Sequence, residues 1–550
     1  MSSASRTGVP GASGQPIIVL KEGTTRTRGK AAQRNNIAAA KIIAEIVRTT
    51  LGPKGMDKIL VDTIGDVVVT NDGATILDKM DVEHPAARML VETAKAQDNT
   101  VGDGTTTVVI LAGELLKRAE ELIEQKIHPS TIIRGYKRAL DIALQHLEKI
   151  AKPVKLEDRE TLRKILLTSL ASKSLGFAKE HIANLALEAV SRIIEERDGR
   201  LYADKDNIQI IKKMGKSLLE SELVNGVIID KEVVHSAMPK RVVNAKIALI
   251  NAPFEIEKTE FSAEIRIRDP LKMKEFLDEE TRILKEMVDK VVSVGANVVL
   301  CQKGIDDIAQ FFMAKAGILA VRRIKSSDME KLSRATGAKI VTNFEDLTPD
   351  DLGNAGIVEE RKVGEDKMVF VRDCKNPKSV SILIRAGLER QLDEAERALN
   401  DAIMNLISLI QNMKYVPGGG AAEMALASVI RKEAPKYSGK EQLAMLAFAE
   451  TLEMIPRSLA ENSGLEPVEI LTELRTKHEN GQHGYGIEVF SGKVMDMFEA
   501  GVIEPLRVKE QALKSGFEAA AMILRIDDVI AAAKHKETKS EKGGYETGGQ

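Results

Sequence analysis

The chain changes texture twice along its length, and this change constrains the fold more than any single motif. Apolar residues recur at helical spacing from about residue 36 to 194, and again after residue 387. Between about residues 228 and 381, short β-branched runs alternate with helical stretches, which is typical of an α/β domain. This order predicts an α/β domain inserted between two halves of another domain. At 550 residues, about three to four domains are expected.

The composition excludes several classes of partner. Lys and Arg number 80 against 82 Asp and Glu, so no overall field would draw the chain to nucleic acid or an anionic membrane. Aromatic residues make up 3% of the chain and Trp is absent, which weakens any surface for base stacking. We therefore expect no nucleic-acid partner.

The cysteines and the apolar runs bear on location. Cys301 and Cys374 lie far apart and lack the spacing of a zinc site or a disulfide framework. Residues 1–16 are small and polar, and no apolar run reaches the roughly 18 residues that span a bilayer. These features predict a chain without a membrane span that works in the reducing cytoplasm.

Three local patterns predict secondary structure. A helical pattern from about Asn36 stops at Leu51-Gly52-Pro53, and two short β-branched runs follow as a hairpin around Thr63-Ile64-Gly65. An apolar stripe from Gly387 to Met413 predicts one long helix that ends at the turn Pro417–Gly420.

The stretch VGDGTTTVVI, from Val101 to Ile110, is the most unusual short segment. A Gly-Asp-Gly turn that leads into three threonines and a helix would place N–H groups and hydroxyls where phosphate binds. Asp103 could then hold Mg²⁺ against that phosphate. The alternative is an ordinary helix start in which Asp103 and the threonines are capping residues.

Other familiar motifs are absent. Gly215–Ser217 reads Gly-Lys-Ser, but Ile210 stands where a P-loop requires its first glycine. The 8 histidines form no HExxH motif, and no Ser-His-Asp order stands out.

Three further segments are ambiguous when each is taken alone. Asn71-Asp72-Gly73 favours a simple turn, and Gly418–Gly420 is either a flexible joint or a close approach to a ligand. Asp401 lies on the polar side of the predicted long helix, where a solvated face is the ordinary interpretation.

Taken together and in order, the motifs resemble the ATP-binding set of the chaperonins: TTLGPKGMDKILVD, VVVTNDGATIL, VGDGTTTVVILAGELL, LNDAI, VPGGGAAE and GVIEPLRVK. The resemblance is to the group II branch, which includes the archaeal thermosomes. Two segments favour this branch: LLTSLASKSLG and the insert PFEIEKTEFSAEIRIRDPLKMKEF.

The resemblance implies a multidomain α and α/β chaperonin fold with three domains, two of them discontinuous. These are an α-helical equatorial ATPase domain (1–157 and 414–550), an α/β intermediate hinge domain (158–227 and 382–413) and an α/β apical substrate-binding domain (228–381). The apical domain would carry a helical protrusion at about residues 254–285.

The resemblance also implies an activity and partners. The chain would be an ATP-dependent chaperone that uses ATP and Mg²⁺, and would assemble with identical or related subunits into a double ring. The rings would have eight or nine members, bind unfolded client proteins and enclose them for folding. A built-in lid would make a separate cochaperonin unnecessary.

Site roles carry over residue by residue. Asp72 and Asp401 would be catalytic, Asp103 would bind Mg²⁺, and Lys173 would sense the nucleotide. Gly419, Gly486 and Glu504 would lie beside the sugar and base. The full nucleotide-binding set is Leu51, Gly52, Pro53, Gly104, Thr105, Thr106, Thr107, Lys173, Gly419, Gly486 and Glu504.

The insert would form the lid. Asp269 and Pro270 predict a helix cap and the first helical position. The apolar lid residues would be Phe261, Leu271, Met273, Phe276 and Leu277. Alternatively, these side chains pack into the apical core.

Two positions depart from the bacterial branch. Asn71 stands where that branch has lysine, so this phosphate contact does not carry over, and the segment Gly484–Ile487 also differs. Two other classes of function stay open at this point, an ATP-dependent phosphotransferase and a passive oligomeric scaffold or membrane-associated binding protein.

Overall fold

The structure is a computed structural model that describes residues 9–10, 16–17, 25–61, 65, 67–256, 270–374 and 378–531. Its combination of α and α/β parts is as predicted. Within these residues, no helix is both long and apolar enough to cross a membrane.

The N-terminal part is mainly helical. His84 and His128 each accept a hydrogen bond at a helix start and are followed by Pro85 and Pro129, which have the fixed φ that a first turn needs. The elements are β1 (Val9–Pro10), β2 (Pro16–Ile17), β3 (Thr25–Arg28), α1 (Gly29–Arg48), β4 (Lys58–Val61), β5 (Val67–Thr70), α2 (Gly73–Lys79), α3 (Pro85–Val101), α4 (Thr105–Glu124), α5 (Pro129–Ile150) and β6 (Lys152–Pro153).

The next part connects this helical region to a sheet. Its elements are α6 (Arg159–Leu170), α7 (Lys179–Ile193), β7 (Glu195–Arg197), β8 (Arg200–Tyr202), β9 (Ile208–Met214) and β10 (Glu222–Val224). The α/β part follows with β11 (Gly226–Ile229), β12 (Arg241–Ile250), α8 (Pro270–Ser293), β13 (Val298–Cys301), α9 (Asp307–Lys315), β14 (Leu319–Val321), α10 (Ser326–Thr336), β15 (Ile340–Val341), β16 (Gly353–Val363) and β17 (Asp366–Arg372).

The chain then returns through β18 (Val380–Ala386) and α11 (Glu389–Ile410). The C-terminal part contains β19 (Lys414–Pro417), α12 (Ala421–Glu433), α13 (Lys440–Leu452), α14 (Met454–Asn462), α15 (Pro467–Glu479), β20 (Tyr485–Glu488), β21 (Lys493–Asp496), α16 (Met497–Ala500), β22 (Ile503–Pro505), α17 (Leu506–Leu524) and β23 (Asp528–Ala531).

Three large hydrophobic cores divide these elements. The helical body is built around α4, whose residues 108–112 are all buried, and draws on α1 to α5, α12 to α14 and α17. Both ends of the described chain therefore share one core, and β3 pairs antiparallel with β23. The connecting body packs α6 and α7 against β18 and α11.

The third core belongs to the sheet body, which contains a seven-stranded mixed sheet. Six strands follow the order β11-β17-β16-β12-β13-β14, and the seventh, β15, pairs with β12. Ile247 of β12 pairs with Gly353 of antiparallel β16 and with Val298 of parallel β13. Because helices flank the central strands, residues Ile247–Ile250 read as a continuous apolar run and are all buried.

The local predictions are largely confirmed. The first helix begins at Gly29, earlier than the predicted Asn36, and β4 and β5 form the antiparallel hairpin, although Thr63 and Ile64 at its centre lie outside the described residues. The long helix α11 is present. The prediction that it ends at Pro417–Gly420 is wrong, because strand β19 lies between the helix and those glycines.

Candidate functional site

A cavity of about 870 Å³ lies where the helical body meets the connecting body. The beginnings of α2 and α4, the end of α6, the middle of α11 and the strands β20 to β22 approach it. The predicted site residues in its wall are Leu51, Gly52, Pro53, Asp72, Asp103, Gly104, Thr105, Thr106, Thr107, Lys173, Asp401, Gly419 and Glu504. Gly486 is the one predicted nucleotide residue that is not part of the wall.

The turn before α4 forms the floor of the cavity. Gly102 and Gly104 have φ of +70° and +77°, left-handed conformations that favour glycine. The amide of Gln97 donates a hydrogen bond to the carbonyl oxygen of Asp103 at 2.9 Å and holds the turn in place. Gly104 occupies the cap position of α4 and has no side chain, so the alternative in which Asp103 or a threonine caps this helix is wrong.

A second helix begins beside the first. Asp72 caps α2, since its Oδ2 accepts hydrogen bonds from the backbone N–H and the hydroxyl of Thr75, both at 2.8 Å. A Cβ added to Gly73 would lie 2.5 Å from Oγ1 of Thr106, so only glycine lets the two helix starts come this close. Two helix N-termini therefore converge on the cavity, which favours a bound anion.

Two carboxylates from distant parts of the chain share one lysine. Nζ of Lys173 lies 2.6 Å from Oδ2 of Asp401 and 3.3 Å from Oδ1 of Asp72. The side chain of Lys173 is 8% exposed, that of Asp401 16% and that of Asp72 15%. The interpretation of Asp401 as part of a solvated face is therefore wrong, and Asp72 belongs to a helix cap and an ion cluster rather than to an isolated turn.

The three groups have different ionisation. Burial raises the pKa of Asp401 to about 7, with Lys173 opposing the shift and Asp72 adding to it. Burial also acts against the charge of Asp72, but Lys173 and the Thr75 hydrogen bonds outweigh it and lower the pKa of Asp72. For Lys173, burial is outweighed by Asp401 and Asp72, so its pKa is raised. One carboxylate is thus held ionised while the other can exchange a proton near neutral pH.

Helix α11 also reaches the turn before α4. Oδ2 of Asp103 accepts a hydrogen bond from the side-chain amide of Asn405 at 2.9 Å, one helical turn beyond Asp401. A Cβ added to Gly102 would lie 2.3 Å from Cβ of Met404, so the helix packs directly on the turn. The connecting body therefore touches both the Asp72 and the Asp103 sides of the cavity.

The loop after α1 is pinned against α14. The amide of Asn462 donates hydrogen bonds to the carbonyl oxygens of Arg48 at 3.0 Å and Leu51 at 2.9 Å. Gly52 has φ of +85°, and a Cβ there would lie 2.5 Å from Leu459. The backbone from Leu51 to Pro53 is consequently held in the wall.

The opposite end of the cavity is formed by β20 and β22. The N–H of Ile487 donates to the carbonyl oxygen of Gly419 at 2.9 Å, and a Cβ added to Gly419 would lie 2.7 Å from the Ile487 carbonyl oxygen. Gly486 packs behind this contact, where a Cβ would lie 2.9 Å from the Gly419 carbonyl oxygen, while Ile487 lines the cavity. Gly486 thus allows close packing of the wall and is not itself on its surface.

Glu504 of β22 belongs to a second ion cluster. Nζ of Lys509 lies 2.9 Å from Oε2 of Glu504 and 2.7 Å from Oε1 of Glu423. Burial raises the pKa of Glu504; Lys509 opposes this shift and Glu423 adds to it.

Sequence reasoning missed four residues that shape the cavity: Asn405, Glu423, Lys509 and Asn71 in its observed role. Asn405 follows Asp401 by one helical turn, so helix periodicity could have found it. The side-chain amide of Asn71 donates to the carbonyl oxygen of Ser172 at 2.5 Å and holds the loop that carries Lys173. Glu423 and Lys509 are the last residues of the motifs VPGGGAAE and GVIEPLRVK, but they are far apart in sequence and no local pattern links them.

The donor set fits a magnesium nucleotide. The helix starts with their threonine hydroxyls can bind phosphate oxygens, and Gly52 and Gly419 present backbone without a side chain in the cavity wall. Among the described residues, no group of three or more His, Cys, Asp or Glu is arranged to hold a metal ion alone. Mg²⁺ commonly takes one or two carboxylates together with phosphate oxygens, which suits Asp103 beside a phosphate cradle.

The predicted lid helix begins as expected at Pro270. Leu271, Phe276 and Leu277 are at least 45% exposed on α8, so the alternative in which they pack into the apical core is wrong. Met273 belongs to the same helix, whereas Phe261 and Asp269 lie outside the described residues.

Known proteins match the chain over nearly its whole length. Residues 43–534 match the model of the TCP-1/cpn60 chaperonin family. Thermosome subunit alpha of Archaeoglobus fulgidus is 58% identical over 536 residues, which are 97% of this chain and 98% of that protein. The thermosome subunit of Pyrococcus horikoshii is 58% identical over 532 residues, covering 96% and 97% of the two chains.

A second subunit type is similarly close. Thermosome subunit beta of Archaeoglobus fulgidus is 56% identical over 536 residues, 98% of either chain. The chain therefore belongs to the TCP-1/cpn60 chaperonin family, whose members hydrolyse ATP to drive protein folding.

Proposed function

We propose that this chain is a subunit of a double-ring chaperonin that uses Mg²⁺ and ATP to enclose unfolded proteins. The observation that carries the proposal is the meeting of Asp72, Lys173 and Asp401 at one cavity. These residues come from two bodies with separate cores, so any rotation of the connecting body changes the catalytic arrangement.

The three cores support the predicted domain division. The equatorial domain (1–157 and 414–550) corresponds to the helical body, because its core joins both ends of the described chain. The intermediate domain (158–227 and 382–413) corresponds to the connecting body, and the apical domain (228–381) corresponds to the sheet body. The protrusion at about 254–285 would extend from this last domain along α8.

At the end of the site where phosphate would bind, different groups of the chain would bind the phosphate oxygens and the cation. The N–H groups and hydroxyls at the start of α4 would bind phosphate oxygens, and Asp103 would hold the cation. Bound magnesium ATP would supply the phosphoanhydride bond that is cleaved. Lys173 would balance the charge of the neighbouring carboxylates.

The two remaining carboxylates would handle the attacking water. Asp72 is fixed by Thr75 and Lys173, which suits a group that orients the nucleophile. Asp401 uses Oδ2 for Lys173, so Oδ1 would hold the proton. Its pKa of about 7 suits this exchange near neutral pH. Because Asp401 is on the intermediate domain, hydrolysis would wait until that domain is in place.

An exposed hairpin supports assembly with other subunits. The two-stranded sheet β4–β5 exposes the apolar side chains of Ile59, Val61, Val67 and Val69. An apolar two-stranded sheet with open edges is suited to contact with another chain. Together with the alpha and beta relatives, this surface supports assembly with identical or related subunits, and we propose rings of eight or nine members.

Apolar side chains on the sheet body support binding of unfolded clients. Beside the exposed residues of α8, the neighbouring α9 exposes Ile308 and Phe311. Such a surface would bind apolar segments that are accessible only in unfolded proteins. With α8 as part of a built-in lid, no separate cochaperonin would be needed.

We also propose a cytoplasmic location, where the buried free thiols Cys301 and Cys374 would remain reduced.

Electron microscopy combined with an ATPase assay on a denatured client tests this function. We expect double rings whose ATP turnover accompanies recovery of the client's native activity. A monomer that phosphorylates a small metabolite would identify a phosphotransferase instead, and large particles without turnover would identify a passive scaffold.

Deletion of the segment from 254 to 277 tests the lid separately. We expect ATP turnover to remain near that of the full chain, while a client bound by the deleted form stays accessible to protease in the presence of ATP. Protection of the client without this segment would contradict the lid assignment.

A further inference from the structure

The ion cluster at the second end of the cavity contains a buried lysine to which the proposed function gives no role. Lys509 of α17 lies between Glu423 of α12 and Glu504 of β22, and its side chain is 9% exposed. A buried ammonium group is costly without partners, so this arrangement needs its carboxylates. One cation facing two carboxylates leaves one negative charge that Lys509 does not balance.

The two carboxylates differ in their access to the cavity. Glu423 is 3% exposed, and its Oε2 has no hydrogen-bond partner within the described part of the chain. Glu504 is 20% exposed and lines the cavity. Glu423 is thus an internal counter-charge that holds Lys509, whereas Glu504 can meet a ligand.

Lys509 also determines which oxygen of Glu504 is available. Its ammonium group engages Oε2, while Oε1 lies 2.9 Å from the position that a Cβ on Gly418 would occupy. Gly418 does not itself line the cavity but is followed directly by Gly419, which does, and the N–H of Gly418 donates to the Val502 carbonyl oxygen at 2.9 Å. Oε1 is therefore held beside the glycine turn at which a sugar could approach closely.

We infer that Lys509, held by Glu423, is a positioning residue that fixes Glu504 as the acceptor for the ribose hydroxyls of the nucleotide. This inference rests on the proposed function, because it assigns a specificity to the same site. The consequence is a site that prefers ribonucleotides to their deoxy analogues. A carboxylate that is free to rotate would accept these hydroxyl hydrogen bonds less effectively.

The test is equilibrium binding to the assembled particle, measured by calorimetry with ADP, 2′-deoxy-ADP and 3′-deoxy-ADP. These ligands do not require turnover, so the result is independent of Asp72 and Asp401. We expect the wild type to bind ADP about tenfold more tightly than at least one deoxy analogue, as for loss of a hydrogen bond to a charged group. In Lys509→Met and Glu504→Gln, affinity for ADP should fall to that of the deoxy analogue.

Two further variants separate positioning from mere support of the fold. Lys514→Met removes an exposed lysine from the same helix and should keep the preference. The double variant Lys509→Met/Glu423→Met removes the buried charge pair together, which is often tolerated when one partner alone is not. We expect it to recover the melting temperature of the wild type but not the preference for ADP.

The outcomes are distinguishable. Recovery of both melting temperature and ADP preference in the double variant would show that Lys509 only supports the fold and would overturn the inference. Tight ADP binding with an unchanged preference in Lys509→Met would overturn the inference alone. Failure of the wild type to bind ADP would overturn the proposed function and this inference with it.

Discussion

The two ends of the cavity use the same charges in different structural settings. At each end, one buried lysine lies between two carboxylates: Lys173 between Asp72 and Asp401, and Lys509 between Glu423 and Glu504. The second cluster joins α12, β22 and α17, which all belong to the C-terminal part of the chain. The first joins the helical body to the connecting body. Under the proposed function, similar chemistry would hold a ligand at one end and respond to the position of a domain at the other.

Helix α6 connects the two ends. Lys173 follows its last turn, and Oγ1 of Thr168 accepts a hydrogen bond from the N–H of Ile503, next to Glu504, at 3.3 Å. A movement of this helix would reach the Asp72 end through Lys173 and the Glu504 end through Thr168. The comparison between an ion cluster that joins two bodies and one within the C-terminal part leads to four tests, given from the largest expected effect to the smallest.

Removal of Asp401 should show most clearly that the two ends of the cavity serve different steps, because it should affect turnover and not nucleotide affinity. We expect Asp401→Ala to lower kcat by about a hundredfold or more, because the group that would take the proton is lost. Affinity for ADP should change little, since the other end is intact. Phosphate release and calorimetry measure the two quantities.

Asp393→Ala on the same helix is the matched control. Asp393 lies on the connecting body and pairs with Lys212, so its loss should leave kcat near that of the wild type. Undiminished turnover in Asp401→Ala would remove this residue from the site.

Loss of Asp103 should weaken nucleotide binding rather than change the proton transfer that involves Asp401. We expect Asp103→Ala to weaken magnesium-dependent nucleotide affinity about tenfold, because a hard oxygen ligand for the cation is lost. Titration of ADP with and without Mg²⁺ measures this effect. The variant Asp103→Asn keeps an oxygen and should lose less, and equal affinity in all three proteins would contradict the metal role.

At the cluster of Asp72, Lys173 and Asp401, kcat should depend on pH near neutrality, whereas the pairing of Asp72 with Lys173 should not. Asp401 has a pKa raised to about 7 by burial, so its ionised form declines as pH falls below 7. At pH 6 we expect kcat at roughly a tenth of its plateau, since one unit below a pKa leaves about a tenth of the group ionised. Asp72 has a lowered pKa and stays ionised over this range, so its pairing with Lys173 should persist.

Initial-rate measurements from pH 5.5 to 8.5 at saturating ATP would give this profile. A flat profile across that range would contradict the role of Asp401 as proton acceptor. The particle should remain assembled throughout, which light scattering can verify.

The smallest effect should come from protonation of His478, which lies behind the end of the cavity that β20 and β22 form. Nε2 of His478 bonds to the carbonyl oxygen of Tyr485, where β20 begins, and burial lowers the pKa of His478 to about 4. The fold favours the neutral ring, so its contribution is present above the ordinary pKa and is lost as pH falls from about 6.5 towards 4. Between pH 7 and 5 we expect a loss of about 2 kcal/mol.

Melting temperatures of the wild type and His478→Gln at pH 7 and pH 5 test this prediction. The wild type should lose a few degrees more than the variant on acidification. Equal losses would show that protonation of His478 does not destabilise this end.

Much of the site was predictable because its motifs are local. The turn at residues 101–107 has glycines where left-handed backbone is required, and the observed helix begins at Thr105. The hairpin β4–β5 and the helix α11 likewise follow from periodicity within single segments. These features depend on neighbours a few residues apart, which the sequence displays directly.

Other features could not be predicted from local patterns. On its own helix, Asp401 looks like one polar residue among several, and only packing of α11 against the start of α4 takes it out of solvent. The place of Gly486 behind the wall depends on packing against Gly419, Ala421 and Met497.

Sequence alone determined the elements, the glycine turn before α4 and the order of α and α/β regions, because these follow from backbone preferences and short-range periodicity. Tertiary structure alone decided which charges are buried together. Lys173 lies beside two carboxylates from remote segments, whereas Lys509 lies beside the remote Glu423 and the nearby Glu504. The free energy of a buried charge depends on partners that chain folding brings within about 3 Å.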